Sequence, residues 1–126
     1  MLAIVKACAV IGLDGSIVEV QTDFNPRAGL PSFTIVGLPD NAVKESRERV
    51  RSAIRNSSLQ FVNKAYVINL SPADVLKTGV AYDLAIAVGV LAATNQVPLG
   101  ALESCVFLGE LSLDGSVRHV KGIMPM

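Results

Sequence analysis

The chain is expected to adopt an α+β fold in which a mixed β-sheet carries two principal helices on one face. Three observations predict it. Short β-branched runs are separated by Asp-Gly and Asn-Pro turn signals. Two longer stretches, near residues 40–56 and 82–94, have helical length and composition rather than period-two alternation. Read in order, the elements form β-β-β-α-β-α-β-β, in which hairpins pair the strands and the helices are left to cover one side.

The first strand is read over residues 2–12, LAIVKACAVIG. Leu13-Asp14-Gly15-Ser16 follows as a turn, because Asp-Gly suits a type I′ hairpin with positive φ at both central residues. In the return strand, Ile17, Val18, Val20, Thr22 and Phe24 lie among Glu19, Gln21 and Asp23, so one face is dry and the other wet. Asn25-Pro26-Arg27-Ala28-Gly29 forms a loop, and a third strand spans Pro31 to Val36.

Gly37-Leu38-Pro39-Asp40 turns the chain into a long charged helix ending near Asn56. Asp40 is its natural N-cap, since a short carboxylate accepts from first-turn amides that have no helical partner. Val43, Val50, Ala53 and Ile54 mark the apolar face, with Ser46 beside it. Arg47, Arg51 and Arg55 recur at i, i+4 and i+8 and form one basic stripe. Glu45–Arg49 and Glu48–Arg51 are spaced to pair along the surface. With five basic against two acidic residues, the segment carries a local charge of +3. The whole chain is neutral, with 11 basic and 11 acidic residues, so any attraction to polyanions has to be local.

After a break at Asn56-Ser57-Ser58, Ala65 to Leu70 reads as a strand, and the loop Ser71–Gly79 leads to the most apolar stretch, Tyr82 to Thr94. Apolar on every side, that helix should be covered on most faces. Gly89 within it costs roughly 1 kcal/mol relative to alanine and signals close approach by another backbone. Asp83 is expected to stabilise the first helical turn, and Asp74 to satisfy loop amides. Residues 104–111 (SCVFLGEL) read as a strand, followed by Leu113-Asp114-Gly115-Ser116 and a last strand through Val120. LDGS thus occurs twice, at 13–16 and 113–116, and two hairpins with the same turn chemistry account for it.

The hydrophobic fraction of 51% supports a compact core, and 17% charged residues argues against disorder. Cys8 and Cys105 each sit in apolar runs and read as buried, reduced thiols of a cytoplasmic protein. A lone His119 without a CxxC pattern is a poor basis for a zinc site. The N-terminal run lacks a basic start and is interrupted by Lys6, so no secretory leader is expected. Nor does any run approach the ~18–20 apolar residues of a membrane span. There is no GxxxxGK[ST] phosphate loop, and the glycines are spaced as turn residues rather than as a dinucleotide fingerprint. No cofactor is expected in these residues.

Three long runs, SFTIVGLPDNAVKESRERVRSAIRNS, VINLSPADVLKTGVAYDLAIAVGVLAA and FLGELSLDGSVRHVKGIMP, occur in order. Together they closely resemble the N-terminal domain of the YifB/ComM family of bacterial Mg-chelatase-like AAA+ ATPases, and the likeness covers essentially residues 1–126. The resemblance implies a fold like the second domain of ribosomal protein S5, shared with the proteolytic domain of Lon. It implies a single domain, a fragment of a longer chain whose ATPase module follows. ATP and Mg²⁺ would belong to that module. The intact protein would be a hexamer acting, in competence-linked members, as a helicase on branched DNA during natural transformation and recombination.

Lon-type proteases carry a nucleophilic serine in a PKDGPSAG-like segment and a lysine base in a GGLKEK-like segment. The matching positions here are Ala81 and Met124, which supply neither nucleophile nor base. The expected function is therefore that of a non-catalytic accessory domain engaging DNA or substrate, or helping ring assembly. Its contact residues would be Arg47, Arg51 and Arg55. The rivals are a divergent Lon-like peptidase, with Lys121 paired to Ser71 or Ser116, and a protein-interaction module unrelated to DNA.

Overall fold

The structure, a computed structural model, describes residues 2–11, 14–73 and 75–118. Strands β1 (Leu2–Ile11), β2 (Asp14–Asn25), β3 (Ser32–Val36) and β4 (Ala65–Ser71) form one sheet in the order β1-β2-β4-β3. The β1–β2 and β2–β4 pairs are antiparallel and β3–β4 is parallel, so the sheet is mixed as expected. A short hairpin, β5 (Glu110–Leu111) and β6 (Val117–Arg118), stands apart from it.

Alternation decides which side is buried. Ala3, Val5 and Ala7 of β1, Val18, Val20, Thr22 and Phe24 of β2, and Tyr66, Ile68 and Leu70 of β4 all lie inside. Helix α3 (Asp83–Ala93) packs across β1 and β2, and its residues are buried nearly all round, as its composition requires. A Cβ added at Gly89 would lie 2.6 Å from Thr22 Oγ1. The close neighbour is thus a side chain of β2, not the backbone anticipated. The charged helix packs beside α3, burying Ser46, Val50, Ala53 and Ile54.

Four expectations are corrected. Asp14 and Gly15 are not a turn: they pair with Ile11 and Val10 in the ladder, and the connection is residues 12–13, outside the described residues. Register here is set by the long ladders of β2 with β1 and β4, which keep Val18, Val20 and Thr22 facing the core and override local turn preference. The second LDGS does turn, with Ser112 N donating to Ser116 O at 2.9 Å and Gly115 N to Ser112 O at 3.0 Å. No continuous strand spans 104–111. That stretch holds a single bridge, Lys6 to Val106, and then β5 alone, preceded by a 3₁₀ turn at Leu99–Leu102. The third strand begins at Ser32 rather than Pro31, whose ring lacks the N–H a ladder needs.

The fourth correction concerns the charged helix, which is two pieces, α1 (Asn41–Lys44) and α2 (Ser46–Asn56), hinged at Glu45. The break coincides with a 3₁₀-type bond from Glu48 N to Glu45 O, just where Ser46 turns inward. Asp40 caps α1 as expected, accepting from Val43 N at 2.8 Å. Its second oxygen accepts from Gly79 N at 3.2 Å, so the same carboxylate ties the loop before α3 to the start of α1. Gly37, at φ 102°, lets the turn press on β4: a side chain there would collide with the Leu70 carbonyl.

Candidate functional site

Arg47, Arg51 and Arg55 do share one face of α2, but the structure modifies the stripe in two ways. Glu48 sits between the first two, 4.0 Å from Arg47 Nε and 3.5 Å from Arg51 Nη1, and partly neutralises them. Arg51 and Arg55 both lie over the ring of Phe61, with guanidinium carbons 5.7 and 5.8 Å from its centroid. Each such contact is worth about 0.5–1 kcal/mol near a surface, enough to hold a long side chain in place. Arg51 is the more constrained: its side chain is 33% exposed against 56% for Arg47, and its Nε is buried without an acceptor among the described residues. Arg55 has no carboxylate within ion-pair distance among the described residues.

Two features of this face were not legible in the sequence. Lys44, on α1, lines the same shallow depressions as Arg47, so the basic ridge extends a turn further back. Phe61 stacks at 6.2 Å on Phe33 of β3 and belongs to an aromatic cluster with Tyr66 and Phe24. The ridge therefore rests on a rigid apolar base. The signal that could have found this is the phenylalanine in the loop leading to β4, the one aromatic residue between the charged helix and that strand.

Arg49, two residues from both Arg47 and Arg51 and off the stripe, behaves differently. It reaches into the core to Asp83, with Nε 2.6 Å from Oδ2 and Nη2 3.0 Å from Oδ1. Asp83 is fully buried and also accepts from Ser46 Oγ at 2.5 Å and from the Leu111 amide at 3.1 Å. It stands in the first turn of its own helix, as expected, and in addition joins α2, α3 and β5. The hydrogen bonds to Asp83 hold the Arg49 pKa above its ordinary value, against the opposing effect of burial. The surface pair Glu45–Arg49 exists too, at 3.9 Å, but it is the weaker partner. This cluster is saturated with protein partners and offers no vacancy for a substrate.

Ala81 lies in the turn before α3, its carbonyl accepting from Gly109 N at 3.0 Å. Met124, Lys121, His119 and Asp74 fall outside the described residues, so the second half of the dyad position has no geometry here. Ser116 Oγ donates to Asp114 at 2.7 Å, within its own turn. Lys77 is fully buried, its ammonium donating to the Pro72 carbonyl. Cys8 is buried and Cys105 partly so. Among the described residues no three His, Cys, Asp or Glu side chains converge as a metal site. No helix there is long and apolar enough to cross a membrane.

Comparison with known proteins agrees with the residue-level likeness. The family model for subunit ChlI of Mg-chelatase matches residues 11–126. A Mycobacterium tuberculosis protein is 48% identical over 93% of this chain. YifB of Salmonella typhimurium is 46% identical over 96%, and the Competence protein ComM of Haemophilus influenzae 41% identical over 98%. The chain spans only about a quarter of the length of these relatives, 23–24%. With a match across nearly all its residues, the chain belongs to the Mg-chelatase ChlI family and is akin within it to ComM and YifB.

Proposed function

We propose that these residues form a non-catalytic, N-terminal accessory domain of a cytoplasmic Mg-chelatase-like AAA+ ATPase. On this reading the domain is of the ribosomal S5 domain 2 and Lon type. The remaining part of the protein binds ATP and Mg²⁺ and assembles as a hexamer. The accessory domain uses Arg47, Arg51 and Arg55 to contact that ATPase module or the neighbouring subunit, or to hold DNA phosphates during the recombination that accompanies competence.

The observation that carries the proposal is the ridge itself. Three arginines stand on one helix face of a neutral domain, two of them fastened to Phe61 and so pre-ordered for a partner. Prior ordering lowers the entropy lost on binding, which a merely solvated face would not require.

Arg51→Glu in the full-length protein tests it. Hexamer formation with ATP, read by light scattering, or DNA affinity measured across a salt series, should fall. If ring assembly and DNA binding both match the parent, the ridge has no such role. Labelling of a single serine by a fluorophosphonate probe would overturn the non-catalytic reading and favour the peptidase.

A further inference from the structure

We infer that the open edge of β3 is a docking site for an extended acidic peptide, added to the sheet as a further strand. In the sheet order β1-β2-β4-β3, the third strand is an edge, hydrogen-bonded on one side only among the described residues. Ser32 N donates to Lys64 O at 3.3 Å, on the β4 side. Because backbone groups alternate along a strand, the N–H and C=O of Phe33 and Ile35 point the opposite way, out of the sheet. Unpaired groups in that geometry are a template for another strand.

Beside that edge lies a groove of about 230 Å³, lined by Phe33, Thr34, Ile35, Lys44 and Arg47. The two cations that border it are only weakly engaged. Arg47 shares Glu48 with Arg51 at 4.0 Å, and Lys44 has no carboxylate within ion-pair distance among the described residues. An incoming strand with Asp or Glu on the side facing α1 would pair with both, while its backbone satisfies Phe33 and Ile35.

Charge decides against two other occupants. A second copy of β3 would bring its own Lys44 and Arg47 to the same edge, and like charges so placed repel. A nucleic acid strand would satisfy the cations but leave the ladder groups unmatched. The groove also offers no exposed aromatic ring for base stacking, since Phe33 is buried and Phe61 lies beneath arginines. This inference does not rest on the proposed role of the arginine stripe. Arg55→Glu perturbs that stripe at the end remote from the groove and separates the two.

Fluorescence anisotropy with a labelled short peptide alternating Val and Glu is the test. Alongside it are the Lys-for-Glu peptide, the Glu peptide N-methylated at alternate amides, and oligothymidylate. The Glu peptide should bind, and the N-methylated and Lys peptides should not. Lys44→Glu with Arg47→Glu, both exposed and therefore expected to leave the unfolding midpoint unchanged, should weaken binding on the order of tenfold. Arg55→Glu should leave it unchanged. Equal binding of the N-methylated peptide would refute strand addition. Equal binding of the Lys peptide, indifference to the double charge reversal, or binding of oligothymidylate alone would refute an acidic partner.

Discussion

Replacing Asp83 by alanine should be among the most damaging single changes available in this domain. The carboxylate is fully buried and accepts four hydrogen bonds, from Ser46 Oγ, the Leu111 amide and two nitrogens of Arg49. Its removal leaves a largely buried guanidinium without its counter-ion, and a buried hydroxyl and amide without acceptors. Breaking such a pair from one side costs about 3–5 kcal/mol, a large share of the ~5–15 kcal/mol that holds a domain folded. Arg49→Met should cost at least as much, because Asp83 is wholly buried whereas the Arg49 side chain is 18% exposed. Combining Arg49→Met with Asp83→Ala removes both charges, so the double variant should be less destabilised than the sum of the singles by about 1–3 kcal/mol. Urea unfolding followed by circular dichroism measures all three. With a slope of roughly 1–3 kcal/mol per molar, Asp83→Ala should lower the midpoint by about 1–5 M. A loss below about 1 kcal/mol, or strict additivity in the double variant, would refute the view that this cluster joins α2, α3 and β5.

Two further outcomes follow from packing and burial. Gly89→Ala should destabilise by about 1–3 kcal/mol, because the new methyl would sit 2.6 Å from Thr22 Oγ1, a buried oxygen without a partner among the described residues. Adding Thr22→Ala should recover most of the loss, and thermal melts of both variants check it. Burial pushes the phenols of Tyr66 and Tyr82 up to about 12 from the ordinary 10.0. The raised folded value means that the neutral phenol is favoured in the native state. Their contribution to stability is therefore complete below about pH 10 and is lost as the pH climbs from about 10 to 12. Titration at 295 nm of the native protein should show no tyrosinate transition centred near 10, whereas the unfolded chain should show one.

The family, the α+β class and most elements were legible in the residues because each rests on a short-range cause. Asp40 caps its helix through an amide three residues away; Val18, Val20, Thr22 and Phe24 are inward because a strand alternates; α3 is buried because it has no polar side. The basic stripe followed from helical spacing alone. What the sequence could not decide is what each of those groups faces. Arg49 and Asp83 are 34 positions apart, and helical spacing takes Arg49 off the stripe without saying what it faces. Phe61 comes to lie beneath Arg51 and Arg55 only through the return of the chain to β4. The two LDGS segments make the point most directly. The same four residues turn the chain at 113–116, where the partner strands are two residues long and local preference is unopposed. At 14–16 the same residues are strand, because the long ladders of β2 with β1 and β4 dictate the register. Local preference is worth a kcal/mol or so per turn, and a buried sheet face commits several side chains at once, so where the two conflict the tertiary structure prevails.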